Sequence, residues 1–324
     1  MLAMTTIGVV GVGTIASSCV RGLCGVPRAA ETAPTPPHND DLDAAWASSI
    51  GPPFRFVVSP RNAAKAAALV GEFGAERVEI AASNQAVLDA TDIVLVAVLR
   101  PQAPSVLSAL AFRPEHHVVS LVAGLDLATL AELTAPAAKR CVAIPLPVVA
   151  KRRGVTVVTP RDAVAVQLFD YLGRAVAVDS EAEFRRLQTM TMIAGDLYER
   201  QRTAFAWLTR HGVPDAAAAA YVGGVFHSIT DDARDASPQT FADLVASQTP
   251  GGMNEMVIRE QREDGAYASL ECSLDSLHAR LLSGKEDASL APKAQRLLRE
   301  GTPRPSSSPD GEATATSTAP PDDN

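Results

Sequence analysis

Cysteine is scarce in this 324-residue chain, and its placement excludes more than it suggests. The four cysteines, Cys19, Cys24, Cys141 and Cys272, form no CxxC pair, and none stands near histidines at the spacing of a zinc-ligand set. They read as small core residues of a reduced protein, with Cys24 half-exposed at a helix end, and no metal site is expected. Positive charge is also short. Lys and Arg number 29 against 37 Asp and Glu, a formal net charge of -8, which argues against nucleic acid as a partner. The single basic cluster, Lys151-Arg152-Arg153, reads as a solvated loop, with a phosphate contact as the alternative. No apolar run reaches the roughly 18 residues of a membrane span. No basic flank precedes the first apolar segment, so no signal peptide is expected and the cytoplasm is the expected location.

What is present is ordinary globular material: 47% hydrophobic and 20% charged residues. Domains run to about 100–200 residues, so the length predicts two domains with extra segments. Thr6-Ile7-Gly8-Val9-Val10 is a β-branched run of the kind buried in parallel sheets. Gly11-Val12-Gly13-Thr14-Ile15-Ala16 follows it, and Ile15, Cys19, Val20 and Leu23 then recur at helical spacing. Further strands are expected at 54–59, 78–80, 92–98, 117–122, 140–144, 155–158 and 174–178, with helices between most of them. Strands alternating with helices predict an α/β fold, a doubly wound parallel sheet of the Rossmann type. After Ser180 only helical patterns remain, at 181–211, 215–235, 237–247, 252–264 and 267–283, so an all-α C-terminal domain is expected. The domains are accordingly 1–179, with a proline-rich insertion over 27–53, and 180–285, followed by a tail, 286–324. The tail is expected to be mostly disordered, being rich in Pro, Ser, Thr and Asp beyond Thr302.

The glycine turn carries the first chemical signal. Gly11 permits a tight turn after the strand, Gly13 lets backbone approach a pyrophosphate, and Ala16 allows close helix–strand packing. The N–H groups of the helix start, at Thr14, Ile15 and Ala16, then face the phosphates, with the helix dipole adding to the attraction. The second strand selects the cofactor. An NAD site places Asp or Glu at its end, whereas here the strand ends Ser59-Pro60-Arg61-Asn62, with Lys65 one turn on. Two cations and no carboxylate suit a 2′-phosphate, so NADPH is expected over NADH.

In the order of its motifs the sequence resembles the pyrroline-5-carboxylate reductase family. That family reads GxGxMA, then Asn/Ser-Arg, V-K-P-Q, S-I-x-A-G, M-P-N-T-P and P-G-G-T-T. The matching stretches here are Gly11 to Ala16, Ser59-Pro60-Arg61, Val98-Leu99-Arg100-Pro101-Gln102, Ser120-Leu121-Val122-Ala123-Gly124, Ile144-Pro145-Leu146-Pro147 and Thr249-Pro250-Gly251-Gly252. The resemblance implies that Val98, Arg100, Pro101, Ala123 and Gly124 line the nicotinamide side of the cofactor. It implies that Gly251, Gly252, Met253 and Asn254 open a helix that faces the substrate, joined by Thr191 and Asp196. Asn254 and Glu255 are the candidate catalytic residues; a surface Asn and a first-turn acid favourable to the helix dipole are the structural alternatives. The implied reaction is hydride transfer from NADPH to a C=N bond, 1-pyrroline-5-carboxylate to proline. The implied assembly is a homodimer through the helical domain. The chain departs from the family in its substrate half. The family's Asn-Thr after Met-Pro is Leu146-Pro147, and its two threonines after Pro-Gly-Gly are Met253-Asn254. Loss of polar partners from a pocket changes substrate selectivity by orders of magnitude, so the imine reduced is open.

Two other readings stand beside this one. A β-hydroxyacid-type dehydrogenase joins similar halves but carries a catalytic Lys on the first long helix of the second, and 181–211 contains no Lys. A non-catalytic NADP-binding protein would keep the glycine turn and let the substrate motifs erode.

Overall fold

Short β-branched and aliphatic runs form the sheet, because side chains buried on both faces leave no room for polar alternation. The computed structural model describes residues 4–27 and 50–283. The insertion expected over 27–53 therefore lies, except at its ends, outside the described residues, as does the tail expected over 286–324. Among the described residues the strands are β1 (Thr5–Val10), β2 (Phe54–Val58), β3 (Val78–Ile80), β4 (Ile93–Val96), β5 (His117–Ser120), β6 (Lys139–Pro145), β7 (Gly154–Thr159) and β8 (Gly173–Ala177). They make one sheet in the order β3-β2-β1-β4-β5-β6-β7-β8.

Helices cover both faces of that sheet. They are α1 (Thr14–Cys24), α2 (Ala63–Phe73), α3 (Asn84–Asp89), α4 (Ala103–Leu107), α5 (Leu127–Leu133) and α6 (Ala163–Tyr171). Ala16, Val20, Ala66, Leu69, Ala165 and Leu168 bring α1, α2 and α6 to one face, with Val9, Phe56 and Cys141 beneath them. Val87, Leu88, Ala103, Leu107 and Leu130 bring α3, α4 and α5 to the other face, over Val10, Val57 and Val94. The doubly wound α/β sheet expected from the sequence is thus present, with one difference. β6 and β7 pair antiparallel, Ala143 opposite Val158. Only residues 146–153 separate them, and a parallel crossover needs a dozen or more.

From Glu181 every described element is helical. The helices are α7 (Glu181–Met190), α8 (Ala194–Arg210), α9 (Asp215–Asp231), α10 (Thr240–Ala246), α11 (Met253–Glu263) and α12 (Ala266–Ser283). The single helix expected over 181–211 is broken by a 3-10 turn at Thr191–Ile193. There the Thr191 hydroxyl donates to the Gln188 carbonyl at 2.8 Å, competing locally with the helical ladder. α7 packs on β7 and α12, α8 on α9, and α11 on α12. All these elements belong to one compact unit, Met1–Lys285. No described helix is long and apolar enough to cross a membrane.

The cysteines are core residues with one exception. Cys19, Cys24 and Cys141 are buried, whereas Cys272 is partly exposed on α12. Cys24, expected half-exposed, is covered because α1 ends against the sheet. Burial pushes its thiol up to about 11 and that of Cys19 up to about 12, so both stay protonated near neutral pH.

Candidate dinucleotide site at the switch point of the sheet

The chain leaves β1 toward β2 and β3, then returns across β1 to lay down β4 and β5 on its other side. Loops that follow β1 and β4 therefore part in opposite directions and open a crevice at the carboxyl ends of the strands, the place where open α/β sheets bind ligands. The loops after β1, β2, β4 and β5 meet there.

Gly11 takes φ +97, and a Cβ on it would stand 2.7 Å from the Ala97 carbonyl oxygen, so only glycine allows the turn to lie against the end of β4. Gly13 has a different reason to be glycine. Its nearest neighbour would be 3.9 Å from a Cβ, so the missing side chain leaves open space at the helix start. Ala16 is fully packed against the sheet. Ser59 is fully buried, and its hydroxyl accepts from the Gly11 N–H at 2.9 Å. Ser59 thereby holds the turn from β2.

α1 starts at Gly13 with no side-chain cap. Four other helices of the sheet region have one: Asn62 for α2, Ser83 for α3, Asp126 for α5 and Asp162 for α6. The first-turn N–H groups of α1 point outward without a protein acceptor from a capping side chain, beside positive partial charge from the helix. An anion is the partner such a terminus lacks.

Two cations reach the same place. Lys65 Nζ donates to Thr14 Oγ1 at 3.2 Å, and Arg61 Nη1 to Gln102 Oε1 at 3.3 Å. Both side chains are exposed, and among the described residues neither is paired with a carboxylate. Arg100 lies across Gly124, its Nη1 3.1 Å from where a Cβ would stand. Val98 is half-buried, while Pro101 and Ala123 are exposed at the rim. Leu99, 69% exposed, adds an apolar wall to the mouth. The structure thus brings together Gly11, Gly13, Thr14, Ile15, Ala16, Ser59 and Arg61 with Val98, Arg100, Pro101, Ala123 and Gly124. Lys65 was already read from the sequence as the second cation one turn after Arg61, whereas the contact of Arg61 with Gln102 is visible only in three dimensions.

The substrate-side candidates are engaged locally. Asp196 pairs with Arg200 at 2.8 Å, Asn254 Nδ2 donates to Gln248 Oε1 at 3.0 Å, and the Glu255 carboxylate accepts from the Gly251 N–H at the start of α11. Met253 is 82% exposed, and Gly251 and Gly252 form the turn before α11. Among the described residues no hydrogen bond joins Thr191, Asp196, Asn254 or Glu255 to the loops at the sheet edge.

The fold and the crevice together define an α/β protein with a doubly wound sheet, an all-helical second part and an open switch-point crevice. Residues 44–124 match the family described as NADP oxidoreductase, coenzyme F420-dependent. No curated protein sequence matches the chain. Among solved structures, the chain is similar to 1-pyrroline-5-carboxylate reductase from Streptococcus pyogenes, at 19% identity and TM-score 0.67, over 86% of this chain and 99% of that one. It is similar to a pyrroline-5-carboxylate reductase from Coxiella burnetii, at 17% identity and TM-score 0.66, over 87% and 98%. A third is the Plasmodium falciparum pyrroline carboxylate reductase with NADP bound, at 13% identity and TM-score 0.64, over 87% and 98%. The chain has the fold of these reductases across both its sheet and its helices, so the resemblance read from the motif order holds at the level of fold.

Proposed function

We propose that the chain is an NADPH-dependent reductase that delivers hydride to a C=N bond of a small imine. The observation that supports it best is the uncapped start of α1, faced by Arg61 and Lys65 with no carboxylate paired to them among the described residues. In this reading the amides of Thr14, Ile15 and Ala16 bind the pyrophosphate, with Gly13 giving it room. Arg61 and Lys65 bind the 2′-phosphate. Arg100, Pro101, Ala123 and Gly124 border the nicotinamide, whose ring supplies the hydride chemistry when bound. The solved relative with NADP bound and the matched NADP oxidoreductase segment support the cofactor.

The same reading divides the labour between residues 1–179 and 180–285, and has the second part place the substrate through Thr191, Asp196 and the Gly251–Asn254 turn, with Asn254 and Glu255 as candidate proton-handling groups. It makes the protein a homodimer, because the helical part leaves its apolar surface uncovered. Trp207, Tyr221 and Phe226 line a groove of about 330 Å³ between α8 and α9 whose every wall is apolar. Tyr221 is 70% exposed and Trp207 52%. Exposed apolar surface on this scale marks an interface.

Following NADPH absorbance with 1-pyrroline-5-carboxylate and a panel of cyclic imines tests the reading. Turnover of any member supports it. NADPH binding with no turnover across the panel favours the non-catalytic alternative, for which the local pairing of Asp196, Asn254 and Glu255 already speaks.

A further inference from the structure

A second cluster of reactive side chains lies away from the crevice, near the other end of the strands. His117 is the first residue of β5, and Cys141 is the third of β6. In the parallel register His117 stands opposite Lys139 and Val119 opposite Cys141. His117 and Cys141 therefore project from the same face, which is the face covered by α1, α2 and α6. Asp162 caps α6 above that face, its Oδ1 accepting from the Ala165 N–H at 2.8 Å. One donor atom from each of His117, Cys141 and Asp162 lies within 4.8 Å of the other two. Among the described residues this is the single such grouping of His, Cys and carboxylate ligands.

We propose that His117, Cys141 and Asp162 bind a divalent zinc-class transition-metal ion that ties β5, β6 and the start of α6 together. The donor set is imidazole nitrogen, sulfur and carboxylate oxygen, which suits zinc, whereas magnesium and calcium prefer oxygen alone. Charge favours the assignment. A thiolate and a carboxylate buried together repel, and burial makes each costly. With a divalent cation and a neutral imidazole, the charges of the ensemble sum to zero.

The geometry asks for small adjustments. Zinc bonds of about 2.0–2.3 Å in a tetrahedron put neighbouring ligand atoms roughly 3.3–3.6 Å apart. His117 Nε2 and Asp162 Oδ2 are 2.8 Å apart and must open slightly, and every pair of ligand atoms already lies within 4.8 Å. The Ala165 N–H already orients the carboxylate from outside, as outer partners of metal ligands do. Asp162 keeps 14% side-chain exposure. The role is structural, because the three donors sit below the sheet edge that holds the crevice.

The test uses the full chain. Metal content is measured by plasma mass spectrometry after growth with zinc, and cobalt is then titrated into chelator-treated protein. The expected result is one zinc per chain, a sulfur-to-cobalt charge-transfer band, and a fall in Tm on chelation that zinc restores and magnesium does not. Cys141→Ser and His117→Gln should lose the zinc, and Cys141→Ser the band, while Cys19→Ser keeps both. Should the variants fail to fold, the cobalt spectrum of the unaltered chain decides. No zinc and no thiolate band in that chain, or zinc that Cys141→Ser and His117→Gln retain, overturns the proposal and leaves a buried histidine–carboxylate pair beside a core thiol. NADPH binding and turnover are not part of this readout, so its failure leaves the reductase reading untouched.

Discussion

Two glycines only two positions apart in sequence, Gly11 and Gly13, show how differently one residue type is used. Gly11 is fixed by backbone geometry and by its approach to Ala97, while Gly13 is fixed by the space it leaves. Gly11→Ala should therefore cost stability, about 1–3 kcal/mol for a side chain in a positive-φ position. Gly13→Val should fold with a Tm close to the parent and fail to bind NADPH. Denaturation and nucleotide titration of both variants separate the two effects, and an unbound Gly11 variant of parental stability would contradict the assignment. Arg61→Ala should weaken NADPH about tenfold or more, the worth of a charge-assisted hydrogen bond, and leave NADH nearly unchanged. Equal losses for the two dinucleotides would refute its contact with the 2′-phosphate.

At the scale of an element, helix caps decide what each terminus is for. Asp126 accepts from the Thr129 N–H at 2.7 Å and from the Thr129 hydroxyl at 2.9 Å. These bonds favour the ionised form and hold its carboxyl below the ordinary carboxylate range. A depressed folded-state value means that stability is present above the unfolded value and lost as pH falls through the folded one. Asp126→Ala should therefore cost about 0.5–2 kcal/mol at neutral pH. The gap between variant and parent should close when unfolding is followed below the carboxylate range. α1 is the contrasting case, where a missing cap marks a binding terminus. The sequence makes the caps Asn62, Ser83, Asp126 and Asp162 legible by residue type ahead of a periodic run. It does not say which uncapped start faces a crevice.

For the whole molecule the contrast lies between a sheet region with two packed cores and a helical region with almost none. α8, α10, α11 and α12 contain no buried residue, and α9 contains Ala218 and Val222. In the proposed homodimer a partner surface would cover these helices and add to their stability. Trp207→Glu with Tyr221→Glu should convert a dimer to monomer and lower Tm, as sedimentation and thermal melts across protein concentration would record. A parent chain that sediments as a monomer throughout would contradict the proposed assembly.

Periodicity and residue type by themselves determined the sheet, the helical half and the glycine turn, because each follows from neighbours close in sequence. A strand's burial on two faces writes an unbroken apolar run at 93–96, and a tight turn writes Gly11 and Gly13. The antiparallel β6–β7 pair was within reach of the same logic, through the shortness of 146–153. Only the tertiary structure decided what lies between distant segments. It set Lys65 on Thr14, Arg61 on Gln102 and Arg100 over Gly124. It gathered His117, Cys141 and Asp162, whose spacings in the chain match no ligand pattern. It left Asn254 and Glu255 bonded within their own turn. The reason is physical: strand register and helix packing set distances across the fold, and these depend on the whole arrangement of the sheet rather than on the residues adjoining any one position.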